Sequence, residues 1–158
     1  MARAPLNVLV FPFRQTAGRL LEYAVFRRAD EDVELWQGVA GGAETGEDAL
    51  QAARRELVEE TGLSPEQGWI SLDAMATVPR DVFRDWKSWG RDVYVVVERA
   101  FGVDVGSQHV RLSHEHSAYR WLSFSEASAL LRWDSNRTAL WELNERLTSA
   151  REPEASDD

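Results

Sequence analysis

The chain has 158 residues, 44% of them hydrophobic and 28% charged, and a formal net charge of −9. That length suits one domain with a substantial core, and the acidic balance argues against holding nucleic acid or an anionic membrane through charge alone. The absence of cysteine excludes disulfides, thiolate metal centres and cysteine nucleophiles.

In chain order, residues 7–13 and 20–27 are rich in β-forming side chains, and a turn at residues 15–18 predicts a hairpin between them. The first apolar run, broken by Pro12 and Arg14, is too short for a signal peptide or a membrane span, so a cytoplasmic protein is expected. Residues 30–34 form an acidic loop, followed by Leu35, Trp36 and Gln37 and then a glycine-rich stretch over residues 38–46 that reads as a loop. A helix is predicted over residues 47–61, opened by Thr45 or Gly46, with acidic residues in its first turn and Gly62 as a left-handed C-terminal cap. Strands are predicted over residues 69–78 and 92–100. The polar, tryptophan-bearing loop between them, residues 79–90, has the length of a lid or pocket wall. A short strand over residues 118–122 precedes helices at 125–131 and 135–147, the last capped by Asp134 or Ser135. These elements predict a single mixed α/β domain over residues 1–148, and the polar text of residues 149–158 predicts a disordered acidic tail.

The chemistry is concentrated in residues 41–63. On a helix, Glu56, Glu59 and Glu60 project within one narrow sector, while Leu50, Ala53 and Leu57 fall beside them and face the core. Three neighbouring carboxylates repel one another. Arg55 reaches Glu59 at i+4 and braces it, leaving Glu56 and Glu60 with no cationic partner on the helix. Two such carboxylates beside a glycine loop make a hard oxygen site suited to Mg²⁺ or Mn²⁺. Bound cations of this kind let an acidic site accept an anionic small molecule.

The same residues resemble a known family. Gly41, Glu47, Arg55, Glu56, Leu57, Glu59, Glu60, Gly62 and Leu63 match every fixed position of the Nudix signature, G-x5-E-x7-R-E-U-x-E-E-x-G-U, with U aliphatic. The resemblance implies an αβα sandwich with a mixed β-sheet, of the α/β (α+β) class, in which the signature forms a loop-helix-loop. It also implies hydrolysis of a phosphoanhydride bond in a nucleoside-diphosphate-linked substrate with one to three Mg²⁺ or Mn²⁺ ions. Carried over by position, Glu56, Glu59 and Glu60 hold metal with the Gly41 carbonyl, Arg55 orients a carboxylate, and Glu47 supports the loop. The absence of cysteine tells against the isomerase chemistry known on this fold, and the intact signature tells against a non-enzymatic sensor.

Flanking text extends the resemblance over roughly residues 4–147, towards the bacterial dihydroneopterin triphosphate pyrophosphatase branch and its role in folate biosynthesis. It is carried by Phe26, Arg27 and Arg28, by Trp36, by residues 115–122, and by Trp133 to Arg137. By that likeness Glu115 joins the metal site as a ligand or as the base for the attacking water. Arg28, Trp36, Asn136 and Arg137 are then candidates for holding the substrate. Residues 81–90 depart from that branch, so a nucleoside triphosphate, an oxidised nucleotide or a dinucleoside polyphosphate remains the alternative. His114 and His116, with only His109 as a further histidine, are too few for structural zinc and read as a loop with at most a substrate contact. The partner expected is thus a small (pyro)phosphate molecule, not nucleic acid or membrane, with the chain a monomer or homodimer.

Overall fold

In the computed structural model, which describes residues 2–30 and 32–149, the first β-rich runs become β1 (Arg3–Gln15) and β2 (Leu21–Arg28). They form the expected hairpin, with Phe13 opposite Tyr23 and Gln15 opposite Leu21. Residues 7–13 are buried without interruption because both faces of β1 are covered. Val8 and Val10 enter one core layer, while Leu9, Phe11 and Phe13 enter the other. Full burial of such a side chain contributes about 1.5–3 kcal/mol, so β1, feeding both layers, anchors the sheet.

The remaining strands are β3 (Trp36–Gln37), β4 (Val39–Glu44), β5 (Trp69–Pro79), β6 (Val95–Asp104) and β7 (His116–Leu122). All belong to one mixed sheet of seven strands in the order β3-β2-β1-β6-β5, with β4 added to β1 and β7 to β2. Only β1 and β6 pair in parallel among these ladders. Helix α1 (Ala49–Thr61) covers one face, where Ala52, Ala53 and Leu57 meet Val8, Val10, Phe26 and Val103. Helices α2 (Phe124–Leu130) and α3 (Asp134–Ser149) cover the other, where Ala127, Leu140 and Leu143 meet Leu9, Phe11, Tyr23 and Leu72. This is the αβα sandwich with a mixed sheet that the signature implied.

Several boundaries move, each for a local reason. The glycine-rich text expected as a loop contains β4, whose Val10↔Val39, Leu9↔Ala40, Val8↔Gly41 and Asn7↔Gly42 pairs satisfy its backbone along β1. Helix α1 begins at Ala49, later than expected, and its N-cap is Asp48, not Thr45 or Gly46. Asp48 accepts from the Gln51 N–H at 2.8 Å and Gln51 Oε1 accepts from the Asp48 N–H at 2.9 Å, a capping box. The first turn therefore carries no acidic residue, and Glu47 stands outside the helix. Leu50 is exposed and Ala52 takes the core position instead. Gly62 ends the helix in the left-handed conformation, as expected. Helix α3 starts at Asp134 itself, with the Asn136 and Arg137 N–H groups bonding the Trp133 carbonyl, so neither Asp134 nor Ser135 precedes it as a cap. It continues through Ser149, into the predicted tail; residues 150–158 of that tail lie outside the described residues. Among the described residues no helix is long and apolar enough to cross a membrane.

Candidate active site

Helix α1 lies against β1 and β4, and its polar edge faces the glycine pair of β4. A Cβ on Gly41 would fall inside the Glu56 carboxylate, so only glycine lets that side chain lie against the strand. Beside it, the bare Cα of Gly42 is covered by the Arg3 guanidinium.

Arg55 organises the start of the site. Its Nε donates to Glu47 Oε2 at 2.9 Å and its Nη2 to Glu47 Oε1 at 2.9 Å, a bidentate pair. The same Nη2 donates to the Gly42 carbonyl at 2.9 Å, and Nη1 donates to Glu56 Oε1 at 3.0 Å and Glu59 Oε2 at 3.1 Å. Glu47 also accepts from the Glu44 N–H at 2.7 Å. Arg55 foremost, against the opposing pull of burial, holds the Glu47 carboxyl below the usual carboxylate range. These bonds correct the expectation that Arg55 braces Glu59 alone. Glu56 has a cationic partner, and Glu60 is the carboxylate left without one.

Glu60 is 3% exposed, and its Oε2 is buried with no hydrogen-bond partner. Burial first, then the Glu115 carboxyl and the charge of Glu56, push its proton affinity well above the usual carboxylate range. Burial also raises Glu56, with Arg55 opposing it. Glu115 reaches this place because the segment before β7 is sewn to the end of α1. The Arg111 N–H donates to the Thr61 carbonyl at 2.7 Å and the Ser113 N–H to the Glu60 carbonyl at 3.0 Å, satisfying helix carbonyls left open at the C-terminus. On its far side the Glu115 carbonyl accepts from the Ala29 N–H at 3.0 Å.

These groups border a cavity of about 460 Å³, whose lining includes Gly41, Glu56, Glu60 and Glu115 together with Arg3, Arg28 and Asp30. Its acidic end fits a divalent cation. A buried carboxylate oxygen without a donor, beside two further carboxylates, is an environment that a cation would neutralise. Among the described residues, however, no three His, Asp or Glu side chains already stand in a ligating arrangement. Glu59 is outside the cavity lining, its side chain 56% exposed and tied to Arg55.

The flanking candidates divide. Arg28 lines the cavity, with its Nε and Nη2 donating to the Asp30 carboxylate at 3.0 and 2.8 Å. Trp36 does not offer a stacking face to the cavity. It is 3% exposed, its indole donates to Glu34 Oε1 at 2.7 Å, and Arg120 lies over its ring. Asn136 is buried and accepts from the Gly38 N–H at 2.9 Å, fastening α3 to the β3–β4 junction. Arg137 donates to the Leu131 carbonyl at 2.7 Å and pairs with Asp134. None of the three lines the cavity, and each makes its contact away from it. His116 is the first residue of β7, not part of a loop: it is buried, with its ring 5.4 Å from that of Phe26. His114 does line the cavity. Sequence reasoning missed Arg3 and Asp30, which carry no motif and reach the cavity only through the folding of β1 and the β2 end.

Comparison with known proteins agrees with this geometry. The NUDIX domain model matches residues 3–142. The dihydroneopterin triphosphate diphosphatase of Escherichia coli (strain K12) is 32% identical over 140 residues, covering 87% of this chain and 91% of that one. An RNA pyrophosphohydrolase of Roseobacter denitrificans is 33% identical over 130 residues, covering 75% and 81%. The asymmetrical bis(5'-nucleosyl)-tetraphosphatase of Rattus norvegicus is 32% identical over 123 residues, covering 77% and 78%. Among solved structures, a NUDIX-family protein of Listeria monocytogenes superposes with a TM-score of 0.81 at 40% identity, covering 93% of this chain and 97% of that one. With the signature in its loop-helix-loop and the cavity at its acidic edge, the chain belongs to the NUDIX family and is a Nudix hydrolase, an enzyme acting on pyrophosphate bonds.

Proposed function

We propose that the enzyme hydrolyses a phosphoanhydride bond of dihydroneopterin triphosphate, releasing pyrophosphate and leaving the monophosphate, with Mg²⁺ or Mn²⁺ as cofactor. The observation that carries the chemistry is the cavity itself, in which Glu56, Glu60 and Glu115 share a lining of about 460 Å³ with Arg3 and Arg28. Glu56, Glu60 and Glu115, with the Gly41 carbonyl, would hold the cation or cations, and Glu59 flanks them from the solvent side. When bound, such ions neutralise polyphosphate charge and make water nucleophilic at neutral pH. Arg3 and Arg28, in the same lining, bind the phosphate oxygens, which a planar guanidinium matches in bidentate fashion. Glu115 takes the proton of the attacking water. Arg55 holds Glu56 and Glu47 in place, so its part is orientation.

The substrate choice is supported by the likeness to the dihydroneopterin triphosphate diphosphatase, which spans 87% of the chain, and the role proposed with it is a step of folate biosynthesis in the cytoplasm. A second reading, a nucleoside polyphosphate or a triphosphorylated RNA end, is favoured by comparable identity to the RNA and dinucleoside enzymes. The test is a panel of dihydroneopterin triphosphate, dGTP, 8-oxo-dGTP, diadenosine tetraphosphate and 5'-triphosphorylated RNA in Mg²⁺ buffer, scoring pyrophosphate against orthophosphate. A kcat/KM for the pterin at least about tenfold above the others is expected, a gap of ~1.4 kcal/mol. Equal or lower turnover of the pterin overturns the substrate assignment and leaves the reaction class standing.

A further inference from the structure

Arg3 is the first residue of β1, and three contacts outside the cavity hold it there. The Trp89 indole N–H donates to the Arg3 carbonyl at 2.7 Å. The Phe83 ring lies 4.9 Å from the guanidinium carbon. Arg3 Nη2 donates to Asn7 Oδ1 at 3.0 Å, and Asn7 Nδ2 donates in turn to Glu98 Oε2 at 2.8 Å, which fixes the amide with its oxygen towards Arg3. Gly42 leaves the space into which the guanidinium is pressed.

Phe83 and Trp89 belong to the segment joining β5 to β6, which is itself stapled shut. The Arg80 N–H donates to the Tyr94 carbonyl at 3.0 Å and its Nη1 to the Val93 carbonyl at 2.8 Å. The Arg80 guanidinium lies 4.8 Å from the Trp86 ring and 4.9 Å from the Tyr94 ring. Phe83 and Trp89 meet at a ring separation of 5.9 Å. A segment tied at its base and paired within itself presents these two rings as a fixed surface.

We propose that this segment is the positioning element of the phosphate-binding arginine: Phe83 and Trp89 hold Arg3 in its cavity conformation and thereby set the affinity for the polyphosphate. The proposal rests on the reading that Arg3 meets substrate phosphate. A free arginine side chain carries about 2 kcal/mol of rotamer entropy, and ordering it before binding turns part of that into affinity. Neither ring touches the reacting atoms, so the effect falls on binding.

The experiment uses the full chain in Mg²⁺ buffer, with inorganic pyrophosphate as a competitive inhibitor and the preferred substrate of the panel. Trp89→Phe removes the N–H donor and keeps an aromatic ring; Phe83→Leu keeps apolar bulk and removes the π face, so either serves if the other fails to fold. Each is expected to raise KM and the pyrophosphate Ki about 3- to 30-fold, the range of a cation–π contact or a single hydrogen bond, with kcat within about twofold. In an Arg3→Ala background the same changes are expected to have no further effect, which a merely structural role would not produce. The proposal is overturned if Trp89→Phe and Phe83→Leu leave Ki unchanged while Arg3→Ala weakens it, or if their effects add fully to that of Arg3→Ala. An unchanged Ki in Arg3→Ala itself overturns the phosphate role of Arg3, and the inference with it.

Discussion

Glu60 and Arg55 show opposite solutions to the same problem, a charge taken out of water. Arg55 is surrounded by Glu47, Glu56, Glu59 and the Gly42 carbonyl, and Glu47 foremost, with Glu56 and against the opposing pull of burial, raises its proton affinity above that of a free guanidinium. Arg55→Ala is expected to lower stability by about 3–5 kcal/mol, because it strands partly buried carboxylates. Arg55→Lys should recover little of this, since an ammonium cannot reproduce the fork on Glu47; urea unfolding of both variants measures it. Glu60 has no such partner. Glu60→Gln replaces a buried ionisable group that has no cationic partner and keeps the shape, so its thermal midpoint should equal or exceed that of the parent. Its kcat should fall roughly 10²–10⁴-fold if the carboxylate takes part in catalysis. A variant that melts normally and turns over normally would remove Glu60 from the site.

Elements are joined through a few side chains that complete another element's backbone. Glu142 of α3 accepts from the Asp73 N–H at 2.8 Å and the Ala74 N–H at 2.7 Å, where the β5–β6 register shifts between Ser71 and Met75. Glu142→Ala leaves those donors without partners and should cost about 1–3 kcal/mol. Burial alone would raise the Glu142 carboxyl, but the Asp73 N–H, Arg146 and the Ala74 N–H together hold it below its ordinary value near 4.5. A carboxylate lowered in the folded state stabilises fully above its unfolded value, and that contribution is lost as pH falls through the folded one. Unfolding free energies at pH 7 and pH 3 should therefore differ more for the parent than for Glu142→Gln, and an equal difference would dissociate this contact from acid stability.

Considered as a whole, the molecule is acidic, yet the cavity sets two arginines against its carboxylates. Three carboxylates gathered at one edge of a sandwich oppose folding until a cation neutralises them. Mg²⁺ should accordingly raise the melting temperature in a concentration-dependent way, worth about 2.7 kcal/mol at a hundredfold excess over Kd. Excess chelator should abolish hydrolysis, and added Mg²⁺ should restore it. A melting curve indifferent to Mg²⁺ between micromolar and millimolar, with K⁺ as control, would contradict cation binding at this edge.

Residues 41–63 carried the reaction class in the linear text through resemblance, because every fixed position of the signature is occupied; the helical spacing of Glu56, Glu59 and Glu60 by itself gave only their common face. The β1–β2 hairpin was equally readable in its two β-rich runs and the turn between them. β4 was not, since glycine density reads as a loop until a partner strand supplies the ladder. Trp36, Asn136 and Arg137 were candidates by likeness and residue type alone, and an indole, an amide or a guanidinium is equally suited to substrate or to another part of the protein. The fold sets Trp36 on Glu34, Asn136 on the Gly38 N–H and Arg137 on the Leu131 carbonyl, and none of the three lines the cavity. Arg3 became part of the cavity through contacts with residues 83 and 89, more than seventy positions away, and no local pattern encodes such a meeting. Helical spacing is a property of short sequence and survives in it; the assembly of Arg3, Arg28 and Glu115 around one cavity is a property of the closed sheet.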